Sequence, residues 1–179
     1  MQTYTIIEYL NDQSAWKIKF FKYDLYSTAW LTNAGLIHLW ANNPHELSKH
    51  TARVVKFHNL KLFNPVTLQL LSDIYEWIIS FLEGEPLAPP LSLFSLKNPM
   101  IYRKILEIKH GDIVYYSHIS STFADRMQLI RALKFNPFPP IIPCHRVVPK
   151  QGFPGYYTPL GPQFKQTLID IERSNTISK

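Results

Sequence analysis

The chain reads as an α+β protein in two parts. A small N-terminal α/β unit of antiparallel strands plus a helix precedes a mostly helical C-terminal unit with a helix-turn-helix. Three observations predict this. Short β-branched and aromatic runs crowd the first forty residues. Helical spacing takes over after residue 66. A proline-rich stretch then separates two halves of different charge.

The runs TYTIIEYL (3–10), WKIKFFKY (16–23) and LIHLW (36–40) are read as strands. Asn11-Asp12 and Asn33-Ala34-Gly35 mark turns. From Val66 to Glu83 the residues Leu70, Leu71, Ile74, Trp77, Ile78, Phe81 and Leu82 recur at helical spacing, and Gly84 is placed to end the helix. Pro86, Pro89, Pro90 and Pro99 then exclude regular helix and stiffen the chain. The expected division is therefore 1–85 as first domain, 86–97 as linker and 98–179 as second domain. The sequence assigns the first domain no role.

The second half opens with Asn98 as helix cap and Pro99 at the first helical position. Ile101, Ile105 and Ile108 form one apolar face, and His110-Gly111-Asp112 ends the helix. Ile113-Val114-Tyr115 is brief and apolar. Tyr116 to Phe123 reads as a short helix, with a break near Ala124-Asp125. Arg126 to Lys134 reads as another, with Met127, Ile130 and Leu133 on one face. Two short helices around a tight turn in a basic unit fit a helix-turn-helix, although any pair of short helices looks the same.

Composition excludes several classes. Hydrophobic content of 46% supports a globular core. No run approaches the roughly 18 apolar residues of a membrane span. MQTYTIIEYL lacks the basic-then-apolar order of a secretory signal, so an intracellular protein is expected, cytoplasmic in a prokaryote. One cysteine excludes an internal disulfide and any zinc site of two or more cysteines. The seven histidines lack ligand spacing, so no metal and no cofactor is assigned. The formal charge of +6 lies wholly in residues 98–179, which hold eleven Lys/Arg against five Asp/Glu. Such asymmetry fits a polyanionic partner or a solvated basic surface.

The single cysteine lies in I141-I142-P143-C144-H145-R146-V147-V148. A thiolate is a strong nucleophile, and an imidazole beside it or a helix N-terminus beneath it favours that form. Buried lone cysteines are also common as small hydrophobes, and neighbours in sequence need not touch in space.

The wider run NPFPPIIPCHRVVPKQGFPGYYTP resembles the O6-alkylguanine-DNA alkyltransferases. It carries their Asn-Pro (Asn136-Pro137), Pro-Cys-His-Arg-Val (Pro143 to Val147) and a Gly-Tyr-Ser-like loop (Gly155-Tyr156-Tyr157-Thr158). NPMIYRKILEIKHGDIVYY resembles the family's opening helix, Gly turn and Tyr, so the likeness covers roughly Asn98 to Glu172. It implies alkyl transfer from guanine O6 to Cys144, with His145 taking the thiol proton and Glu172 orienting the imidazole. It further implies that Tyr116 donates to the purine as negative charge develops and that Asn136 ties the backbone around Cys144. Val147 would bind the guanine amine, and Tyr157 and Thr158 would cover the base. The alkylated base must be rotated out of the duplex, and the thioether product makes each molecule act once.

The DNA-contacting helix departs from the family pattern. Met127 stands where the family carries the arginine that fills the flipped-base gap, with Arg126 one place earlier. The family's two small residues are replaced by Ile130-Arg131. Arg126, Met127 and Arg131 are the DNA-binding candidates. The expected partner is double-stranded DNA containing O6-alkylguanine, met by a monomer with no membrane association. Two alternatives stand beside single-turnover repair: a non-catalytic alkylguanine-DNA-binding protein, and a Cys-His-Glu hydrolase or acyltransferase.

Overall fold

The structure is a computed structural model that describes residues 3–10, 14–150, 155 and 159–177. The expected Asn11-Asp12 turn and the candidates Tyr157 and Thr158 lie outside the described residues. The chain opens with strands β1 (Tyr4–Leu10), β2 (Ala15–Phe20), β3 (Tyr23–Thr32) and β4 (Gly35–Ala41), which pair in that order and antiparallel. Helix α1 (Pro44–His58) follows, then β5 (Leu62–Pro65) against β3, then α2 (Leu68–Leu82).

The expected strand over 16–23 crosses a hairpin turn. β2 stops at Phe20, and β3 starts at Tyr23. Phe21 takes φ 51, a left-handed conformation costly for an aromatic residue, so the usual Gly or Asn signal is missing. Helix α1 is also beyond the hydropathy pattern, because half of its buried face is histidine: Leu47, His50, Val54 and His58. Its start carries a local cap. Asn43 accepts from the Glu46 N–H, and Pro44 follows the cap.

The second half runs α3 (Pro99–Leu106), β6 (Val114–Tyr115), α4 (Tyr116–Ile119), α5 (Phe123–Lys134), a 3₁₀ turn at Cys144–Arg146, β7 (Val147–Val148) and α6 (Pro162–Ile177). Asn98 precedes α3 in a left-handed conformation with no side-chain cap bond, so Pro99 alone supplies the expected start signal. The buried face of α3 is Tyr102 and Ile105, with Ile101 only half-buried. Tyr102 donates to the Ala132 carbonyl at 2.8 Å, locking α3 to α5.

The break between the short helices lies at Ser120–Thr122, not at Ala124-Asp125. Thr122 and Asp125 form a reciprocal capping box, which starts α5 at Phe123. The expected apolar face of α5 is split, with only Leu133 of its three residues packed against the core. Leu129 and Ala132 are buried, whereas Met127 and Ile130 are exposed. One shared core, from Ile18 and Trp40 to Phe138, Phe164 and Leu168, joins both halves of the chain.

Candidate active site

The parallel pairing of β6 with β7 sets Val114 against Val147 and Tyr115 against Val148. Tyr116 and Cys144, well separated along the chain, are thereby brought close together. Cys144 begins the 3₁₀ turn, 6% exposed. Asn136 Nδ2 donates to Cys144 Sγ at 3.0 Å and to the Ile142 carbonyl at 2.7 Å, while Asn136 Oδ1 accepts from the Phe138 N–H. A donor aimed at sulfur favours the thiolate over the thiol.

His145 is fully buried, and its Nε2 lies 2.8 Å from Glu172 Oε1. Burial, with help from the Arg146 and Lys165 cations and against the pull of Glu172, pushes the imidazole below its ordinary range. The ring is therefore neutral, with its proton on Nε2 facing the carboxylate. Nδ1 is then the basic nitrogen, buried and without a partner among the described residues.

Glu172 is 1% exposed and accepts from four groups. Besides His145, these are Arg146 Nε and Nη2, both at 2.9 Å, and the Gly111 N–H at 3.1 Å. Burial raises its carboxyl, but His145 and Arg146 outweigh that and hold it at about 2. Gly111 reaches the carboxylate with φ 78, and a Cβ there would sit 2.6 Å from Thr176 Oγ1. Arg146 also donates to the Ile108 carbonyl at 2.6 Å and lies over the Phe81 ring. Its charge is therefore fully engaged on both sides.

Tyr116 starts α4 half-buried, and burial together with nearby Cys144 raises its hydroxyl above the usual range. It stays a proton donor at neutral pH. A Cβ on Gly155, which has φ 75, would stand 3.4 Å from the Tyr116 hydroxyl and 3.0 Å from Pro149 Cδ. Glycine thus lets the loop pass close to the phenol. Val147 is fully buried, and its carbonyl accepts from Lys165 Nζ at 2.6 Å.

Lys165 was absent from the expected site. It is 2% exposed, and burial drops its ammonium to about 8, with Cys144 pulling the other way. Its signal lay in the α6 stripe 165, 168, 169, 172, where Lys165 and Glu172 flank Leu168 and Ile169. A charged residue on a buried stripe has a partner to find.

The DNA-binding candidates are not part of this cluster. Arg126, Met127 and Arg131 are exposed on α5. At about 100° per residue, Met127 lies on the far side of the helix from Leu129 and Ala132, and Arg126 lies to one flank. No group of three or more His, Cys, Asp or Glu among the described residues is placed to hold a metal. No helix among them is long and apolar enough to cross a membrane.

Comparison with known proteins gives one consistent set of relatives. Residues 98–174 match the family model of the 6-O-methylguanine DNA methyltransferase, DNA binding domain. A methylated-DNA–protein-cysteine methyltransferase of Thermococcus gammatolerans is 33% identical over 105 residues, 55% of this chain and 58% of the relative. One from Thermococcus barophilus is 39% identical over 67 residues, 37% of each chain. The chain spans less than two thirds of the length of either relative. The crystal structure of O6-methylguanine-DNA methyltransferase from Pyrococcus kodakaraensis superposes with a TM-score of 0.67 at 19% identity. It covers 88% of this chain and 97% of that one, so the fold is shared across both halves.

Proposed function

We propose, from the match of residues 98–174 to the 6-O-methylguanine DNA methyltransferase, DNA binding domain model, that this chain repairs O6-alkylguanine in duplex DNA by direct, single-turnover transfer. The observation that carries the reading is the Asn136–Cys144 contact beside the buried His145–Glu172 pair. A nucleophilic sulfur, a neutral base with a free nitrogen and an anion to orient that base stand together.

Cys144 loses its proton to His145 Nδ1, directly or through a water. The sulfur attacks the alkyl carbon, a C–S bond forms and the C–O6 bond breaks. The electron pair leaves on the guanine, which takes a proton and becomes the ordinary base. Tyr116 donates to the purine as that charge develops, and Glu172 stabilises the imidazolium. Asn136 steadies the thiolate before attack. Val147 would bind the guanine amine, and Tyr157 and Thr158 would cover the base. Base flipping is needed because a stacked guanine cannot reach a buried sulfur. A thioether has no route back to the thiol here, so each molecule reacts once. The basic second half supplies attraction for the phosphate backbone.

Intact mass after incubation with alkylated duplex DNA tests the reading. One alkyl group added per chain, located on Cys144 and absent in Cys144→Ser, is expected. DNA binding without adduct would point to a non-catalytic reader. Transfer that survives Cys144→Ser would remove the sulfur from the mechanism.

A further inference from the structure

Asn136 is held on both sides by the other half of the chain. The carbonyl before it, Phe135 O, accepts from His58 Nε2 of α1 at 2.8 Å. The carbonyl after it, Pro137 O, accepts from the His38 backbone N–H of β4 at 3.1 Å. The His38 ring continues the grip: Nδ1 lies 3.1 Å from the Pro139 carbonyl, and Phe138 packs against the ring. We infer that His38 and His58 are positioning residues for alkyl transfer, through which the first domain sets the backbone that aims Asn136 at Cys144 Sγ. This inference rests on Cys144 as the alkyl acceptor.

The hydrogen-bond partners fix both rings. A carbonyl only accepts, so His38 carries its proton on Nδ1, and Nε2 accepts from the Ser27 hydroxyl at 2.9 Å. By the same logic His58 carries its proton on Nε2, and Nδ1 accepts from the Lys97 N–H at 3.1 Å. Both are neutral, as their burial also requires, with His38 at 0% and His58 at 5% exposure. The held stretch then reaches the sulfur by short steps. Phe138 donates its N–H to Asn136 and accepts at its carbonyl from Ile142, and Asn136 bonds the Ile142 carbonyl and Sγ. A shift at Pro137–Pro139 therefore moves the Asn136 carboxamide relative to sulfur. A misplacement of about 1 Å in such a contact costs up to about 100-fold in rate.

The two rings use opposite nitrogens, which gives a test that simple loss of packing does not mimic. Asn places its amide where Nδ1 of histidine stood, and Gln places its amide where Nε2 stood. The experiment measures the alkylation rate of Cys144 by a free O6-alkylguanine base and its pH profile. Four variants are compared, His38→Asn, His38→Gln, His58→Asn and His58→Gln, each normalised to folded fraction by circular dichroism. At position 38, Asn should stay within about threefold of the unaltered chain, and Gln should fall about tenfold or more, with its profile moved to higher pH. At position 58 the order should reverse. If one position does not tolerate change, the order at the other decides. Equal rates for all variants, the same order at both positions, or losses confined to melting temperature would overturn the positioning role. An unaltered chain that forms no adduct would overturn the acceptor reading and this inference with it. An unaltered chain that reacts alongside equally reactive variants would overturn this inference alone.

Discussion

Glu172 is where single-residue chemistry is most concentrated. It must accept from Arg146 twice, from His145 and from the Gly111 N–H, all away from water. Glu172→Gln keeps the shape but removes the charge, leaving the Arg146 guanidinium buried without its anion. Breaking a buried pair in this way costs about 3–5 kcal/mol. The imidazole also loses its orienting partner, for which a drop in transfer rate of about 10²–10⁴ is expected. Chemical denaturation and single-turnover kinetics check the two separately; an unchanged rate would take Glu172 out of the mechanism. Lys165 behaves differently. Its ammonium is already penalised by burial, so Lys165→Met should leave the melting temperature level or higher. Loss of a cation near sulfur should lower thiolate reactivity at neutral pH by about tenfold, equivalent to one pKa unit. Thiol titration and the rate with a free alkylguanine base read that change. The motif Pro143 to Val147 was legible because it is contiguous. Lys165 was not, because its meaning comes from the Val147 carbonyl 18 residues away in sequence.

Helix α5 shows how far pattern reading carries an element. Its existence was legible, but its start was not, because the Thr122–Asp125 capping box opens the helix where a break was expected. Nor was its orientation. Met127, Ile130 and Leu133 share one expected apolar face, but Leu133 packs on the core with Leu129 and Ala132, and Phe123, Met127 and Ile130 are exposed, as are Arg126, Arg131 and Lys134. Apolar spacing marks a helix; it does not say which neighbour the stripe will meet. An outward Met among cations suits an apolar wedge into a base stack, as other minor-groove proteins use. Arg126, on the flank, suits a phosphate contact. Met127→Ala should therefore slow repair of duplex DNA more than reaction with a free alkylguanine base, since the free base needs no flipping. Arg126→Ala should weaken duplex binding and reduce its salt slope by about one. A duplex-only rate loss at Arg126→Ala with none at Met127→Ala would give the gap-filling role to Arg126.

Across the molecule, buried neutral histidines join the halves and set the acid limit of the fold. Burial holds His38, His50 and His58 each at about 4. The unfolded chain binds these protons near 6.5. Stability is therefore full above about 6.5 and lost as pH falls toward 4. Each histidine contributes up to about 1.4 kcal/mol per pH unit across that window. Denaturation midpoints measured from pH 7 to 4 should fall accordingly, and more shallowly in His38→Asn. An unchanged slope in that variant would mean that His38 titrates normally. The strand-rich start, α2 and the contiguous Pro143 to Val147 motif could all be read from sequence, because each rests on local propensity, short-range periodicity or contiguous residues. Helix α1 and the β2–β3 turn could not, because buried histidines and a left-handed Phe21 override the local signals. The sequence by itself determined which chemistry is available: one nucleophile, one adjacent imidazole and a basic half. Only the tertiary structure decided which nitrogen of His145 is free, that Lys165 is buried beside the site and that His38 and His58 hold the backbone around Asn136. Those features depend on contacts between residues 18 to 101 positions apart, where burial and hydrogen-bond geometry, rather than local preference, set the outcome.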